Sequence, residues 1–187
     1  MTTPAPLPPG AVTAHRIRRL SLLVRGLVAV GALVLAVAVA ALWIDPAYAL
    51  AQIRRDSHLD DIAQLDAVSR LRCVAWMCVT AAVAMMMLLR LWQLFGEYAQ
   101  GRIFGLRALD RLRGFARWTM AAAVLSPIDG AVVSVLATWN RAIGHRELNV
   151  YVSSEEYALL LFGAALLAIS SVMTEAARLA EDNAGFV

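Results

Sequence analysis

Ser126, Pro127 and Asp129 stand in the stretch LSPIDGA, inside a run that is otherwise apolar from Trp118 to Trp139. An acid in such a run can carry a proton, hold a cation or anchor a hydrogen bond. A charge at the centre of a bilayer costs at least about 2.5–3.5 kcal/mol on insertion scales. The carboxyl is therefore expected to be paired, wet or protonated. Asp129 is 11 residues from Trp118 and 10 from Trp139, near mid-depth if those tryptophans mark the membrane edges. No basic residue shares that depth. Arg25 and Arg90 lie toward one face, Arg70 and Arg72 toward the other. Thr80, Ser170 and Ser171 are the expected hydrogen-bonding neighbours.

The same residues also spell a helix start. Ser126 fits an N-cap, Pro127 the first helical position, and Asp129 follows three residues after the cap. The third apolar run could then be two half-helices meeting at mid-depth, the way many transporters build ion sites. It could instead be one helix kinked at Pro127, with the Ala123 carbonyl left free and neighbouring helices absorbing the loss. Otherwise the membrane boundaries lie elsewhere.

Other candidate chemistry is sparse. Cys73 and Cys78 are five residues apart, point apart on a helix, and lack metal spacing, so they read as small buried apolar residues. Met85, Met86 and Met87 face three directions and read as packing filler. His58, Asp60 and Asp61 could ligate a metal, but with no second ligand cluster a solvated face is expected. There is no Ser-His-Asp set, phosphate loop or H-E-x-x-H motif. No enzymatic activity, metal or cofactor is expected.

The elements that must position Asp129 follow from composition. The 187 residues are 60% hydrophobic with mean hydropathy +0.65, above the roughly half-apolar soluble average. Four runs approach the roughly 20 apolar residues that span a bilayer core. They cover about 22–44, 73–95, 118–139 and 157–174. The expectation is an all-α, integral membrane four-helix bundle. Residues 16–187 form one four-span domain behind a disordered tail, 1–15, that carries Pro4, Pro6, Pro8 and Pro9. The first run is longer than the 7–15 apolar residues of a signal peptide, so cleavage is not expected.

All 17 basic residues are arginine. With the N-terminus inside, 11 fall on the cytoplasmic side and 6 outside. That bias places both termini in the cytoplasm. The net charge of +3 suits orientation and lipid contact rather than nucleic-acid binding.

The connections carry further patterns. Leu59, Ile62, Leu65, Val68 and Leu71 suggest an amphipathic helix outside the membrane. Residues 144–152, GHRELNVYV, alternate as a short strand or hairpin before the fourth span. Ser153 and Glu156 fit a capping box. Between spans two and three, Leu106, Leu109, Leu112 and Phe115 recur every three residues and mark an amphipathic cytoplasmic helix. Arg102, Arg107, Arg111, Arg113 and Arg117 punctuate that segment. They form a candidate surface for anionic headgroups or a protein partner. The acidic C-terminal segment, with Glu175, Glu181 and Asp182, is expected to fold back on it.

The stretch LFGEYAQGRIFGLRALDRLRGFARW, with Tyr98, Gly101, Ile103 and Phe104, resembles the signature loop of the bacterial membrane proteins grouped as domain of unknown function 2975. The ending EAARLAEDNAGFV is similar to that family's C-terminus. The resemblance implies four spans, a bacterial inner-membrane location and no assigned activity, and it supplies no catalytic residue. It also implies a role beside a small helix-turn-helix regulator. LSPIDGA gains nothing from it. The leading expectation is a non-enzymatic regulatory or partner-binding membrane protein. It would act through its basic inner helix and acidic tail, with a regulator or a second copy as partner. The alternative is a small oligomeric transporter or channel that uses Asp129.

Overall fold

The computed structural model describes residues 9–57, 65–101, 105–140 and 148–184, with side chains placed from residue 17 to residue 179. Five helices follow in order: α1 (Pro9–Ile44), α2 (Pro46–Ser57), α3 (Ala67–Ala99), α4 (Leu106–Thr138) and α5 (Ser154–Ala184). All but α2 contain segments long and apolar enough to cross a membrane. Among the described residues there is no strand. Residues 148–153 lack regular secondary structure where a strand or hairpin was expected; 144–147 lie outside the described residues. Tertiary ties explain this, because Asn149 donates its backbone N–H to Ser134 rather than to a facing strand. The segment 9–15, expected as disordered tail, belongs to α1. Pro9 opens that helix, a position that needs no N–H and suits the fixed proline φ.

Local chemistry sets the ends. Asp45 closes α1 and accepts from the Ala47 N–H at 2.9 Å, while Pro46 opens α2. Past α3, Gly101 takes φ 78°, and its N–H and that of Gln100 return to Tyr98 and Glu97. Only glycine adopts that conformation without strain. Ser153 and Glu156 form the expected capping box: the Ser153 backbone N–H donates to the Glu156 carboxylate at 2.7 Å, and the Ser153 hydroxyl bonds the same oxygen.

The spans pack as a row. α1 lies on α3, α3 on α4 and α4 on α5, while α2 touches α1, α3 and α4. Among the described residues α1 packs on neither α4 nor α5, so the bundle is open. Small residues allow close approach. A Cβ on Gly163 of α5 would come within 3.2 Å of the Met120 backbone nitrogen and 3.3 Å of the Ala116 carbonyl in α4.

Cross-helix contacts give a common depth scale. Arg25 of α1 stacks on Trp92 of α3, 4.2 Å from the ring centroid. Gly114 of α4 lies against Arg90, and Arg113 donates to Thr174 of α5 at 3.3 Å. These residues mark one level, the arginine end. At the other level, Leu42 of α1 packs on the cluster that contains Met77 of α3, Cys73 meets Val133 of α4, and Ser126 meets Glu156 of α5. From Arg25 to Ile44 is 19 residues, roughly 28 Å at 1.5 Å per residue, close to one hydrocarbon core. Leu27, Ile44, Tyr157 and Val172, each more than two-thirds exposed, face outward along it.

At this second level α2 joins the spans in a small cap. Ile53, Cys73, Met77 and Val133 are its buried core, flanked by Leu42, Leu65, Trp76, Leu136 and Ala137. α2 buries Ala49, Ile53 and Ser57, one face at i, i+4, i+8. The expected stripe through Val68 and Leu71 does not face the core, since both are about half exposed. The first turns of α3 instead bury Ser69, Cys73 and Val74. Leu59 and Ile62 lie outside the described residues.

At the arginine end, the expected surface helix is not separate. Residues 106–117 are the first third of α4 and run directly into the span. Leu109, Leu112 and Phe115 are buried and only Leu106 is exposed. Nothing between Leu106 and Trp118 breaks the helix, and the apolar stripe packs onto protein instead of lying on lipid.

Candidate functional site

Asp129 belongs to a helix that does not break. α4 continues through Pro127 to Thr138, so the half-helix arrangement is excluded. Ser126 caps nothing; its hydroxyl donates to Glu156 Oε1 at 2.9 Å. The local helix-start signal loses to tertiary packing, because Thr119, Ala123, Val133 and Ser134 hold α4 in place on both sides of the proline.

Across the helices Asp129 sits nearer the cap than the arginine end, close to Trp76 and one turn from the Ser126–Glu156 contact. It shares its level with Leu42, Trp76 and the first turn of α5, at the cap end of the apolar layer. α4 runs on past Asp129 to Thr138, with Trp139 next, alongside the cap residues Leu136 and Ala137. The expected neighbours are elsewhere engaged. Thr80 donates to the Met77 carbonyl at 3.0 Å, and Ser170 and Ser171 both donate to the Leu167 carbonyl. The group facing Asp129 is the Trp76 indole. Neither Trp76 Nε1 nor Asp129 Oδ1, both buried, has a hydrogen bond of full geometry, and a loose contact from the indole N–H to the carboxylate joins them.

Asp129 forms part of the wall of a cavity of about 480 Å³. α4 contributes Ser126, Asp129 and Gly130, and α2 contributes Arg55 and Asp56. Asn149, Tyr151 and Ser153 come from the connection, Glu155 and Glu156 from the first turn of α5. Four carboxylates against one guanidinium make the lining acidic. Gly130 is required by close approach, since a Cβ there would sit 3.1 Å from the Asp56 carbonyl. Asn149 ties the connection down, through its backbone N–H to Ser134 at 3.1 Å and its side-chain amide to the Ser57 carbonyl at 3.4 Å. The cavity is polar, and Asp129 Oδ1 in the group that lines it lacks a hydrogen bond of full geometry. Among the described residues no group of three or more His, Cys, Asp or Glu could hold a metal ion.

The arginine surface is divided. Arg107 and Arg117 are exposed. Arg111 donates to Gln93 of α3 and Arg113 to Thr174 of α5, so both are drawn into the helix packing. Arg102 lies outside the described residues, as do the side chains of Glu181 and Asp182, His15, and residues His58, Asp60, Asp61 and His145. Trp76, Arg55, Asp56, Asn149 and Tyr151 were missed as site residues. The only sequence signal for Trp76 is its register opposite Asp129, which needs the α3–α4 pairing to be known.

No curated protein and no solved structure matches the chain significantly. The family model described as "Protein of unknown function (DUF2975)" matches residues 49–185, which is 137 of 187. The match runs from within α2 through α5 and includes every cavity residue. The chain belongs to the DUF2975 family.

Proposed function

We propose that this is a non-enzymatic, multi-pass protein of a bacterial inner membrane that binds a small solute at its cap end and engages a partner at its arginine end. The observation that carries the reading is the buried Asp129 oxygen, held only by a loose contact with Trp76, beside an acidic cavity. Buried polar atoms are nearly always satisfied, and an exception points to a missing ligand, a missing water or stored strain. The arginine-rich end supports a cytoplasmic placement, and with it both termini inside. Exposed Arg107 and Arg117 suit anionic headgroups or an acidic partner surface, including a small helix-turn-helix regulator. α3 and α4 each run unbroken from the cavity to that end, so movement at Trp76 and Asp129 has a rigid route to Gln93 and Arg111.

A transporter or channel using Asp129 is the second reading, favoured by the same poorly satisfied Asp129 oxygen. The continuous α4 counts against it, because no half-helix ends face the cavity. Flux separates the two. Sealed vesicles holding the purified protein are expected to pass neither protons nor small solutes faster than protein-free vesicles. A photocrosslinker at Arg107 in native membranes is expected to give a discrete protein adduct. Flux that Asp129→Asn abolishes would overturn the regulatory reading.

A further inference from the structure

The acidic cavity alone would accept any small cation; a second space beside it narrows the choice. A crevice of about 160 Å³ opens between α3 and α4, lined by Thr80, Val83, Ala84, Ala122 and Leu125, and it shares Ser126 and Asp129 with the cavity. Below Asp129 its walls are apolar except for Thr80, whose hydroxyl is already donated to Met77. We propose that the site takes an organic ammonium ion bearing a short apolar group, its charge against Asp129 and its apolar part in the α3–α4 crevice. This deepens the reading of the cavity as a solute site and rests on it.

The chemistry on each side of Asp129 matches the two halves of such a ligand. A hard divalent ion needs six or more oxygen ligands, or several carboxylates converging with waters. Among the described residues no acid or histidine group offers that. An ammonium needs one counter-charge and a few acceptors, which Asp129 and the hydroxyl and carboxylate groups around Ser126 and Glu156 provide. A wholly polar cation would leave the crevice between Val83 and Ala122 unfilled. An apolar group moved there from water onto the apolar wall gains roughly 0.8 kcal/mol, a factor of about four in affinity, for each methylene buried.

The test is calorimetric titration of the full-length protein in detergent with methylammonium, ethylammonium, propylammonium and butylammonium chloride, and with sodium chloride. Affinity is expected to rise about fourfold per methylene along the series. Asp129→Asn is expected to lose binding of every member. Ala122→Leu, which fills the crevice, is expected to keep methylammonium binding and lose the chain-length gain. Ala121→Leu adds the same volume on the exposed side of α4 and is expected to leave the whole series unchanged. Methylammonium binding that needs Asp129 but shows no chain-length gain would overturn the apolar-group inference while the solute site stands. Sodium competing as well as butylammonium, or Ala121→Leu erasing the gain as Ala122→Leu does, would also overturn it. If no ammonium binds, the inference and the solute-site reading fall together.

Discussion

Asp129 carries a cost that the folded chain offsets only in part. Its Oδ1 is buried without a hydrogen bond of full geometry, and the indole that faces it makes only a loose one. A buried unsatisfied polar group destabilises by about 1–3 kcal/mol, more when charged. A ligand-binding acid of this kind is expected to be a weak point of the empty protein. Asp129→Asn should therefore raise the thermal midpoint of the purified, unliganded protein, read by circular dichroism in detergent. A fall of the midpoint would mean that the carboxylate is a structural anchor. Neighbouring Ser126 plays a different part from its sequence role. Its cap signal is real, but the hydroxyl is turned across to α5, where Glu156 accepts it.

At the scale of elements, much was legible. Four spans, the stop at Gly101 and the Ser153–Glu156 capping box all follow from local chemistry, and local chemistry is what a sequence displays. The errors share one cause. Leu109, Leu112 and Phe115 form an amphipathic stripe whether they lie on lipid or on protein, and the stripe does not say which. In the same way Val68 and Leu71 fit a helical period without facing the core. The identity of the elements packed against each stripe is a tertiary fact. So is the site itself, because Arg55, Asp56, Asn149 and Tyr151 reach Asp129 only through the fold of α2 and the connection onto α4. Close helix packing gives a sharp test here. Gly163→Val should drive α5 from the Met120 and Ala116 backbone, at about 1–3 kcal/mol, and lower the thermal midpoint. Ala164→Val, on the exposed side of the same turn, should change it little. Equal effects of the two would contradict the α4–α5 register.

The whole molecule has two unlike ends joined by an apolar layer. One end gathers Arg25, Arg90, Arg107, Arg111, Arg113 and Arg117. The other carries the α2 cap and the acidic cavity. α3 and α4, 33 residues each, are longer than the layer and reach into both ends. Mid-depth placement of Asp129 takes the two tryptophans as the membrane edges, whereas the cross-helix contacts put Asp129 nearer the cap end of α4. The central claim is that Asp129 opens to the cap side instead of lying sealed at mid-membrane. Single cysteines at Asp129, Glu155 and Arg107, in a Cys73→Ala, Cys78→Ala background, test it most directly. They would be treated with a membrane-impermeant maleimide in sealed vesicles of one orientation. The account predicts that Asp129→Cys reacts from the same side as Glu155→Cys and that Arg107→Cys reacts only from the opposite side. An Asp129→Cys that is unreactive from both sides, or that reacts from the Arg107 side, would contradict it.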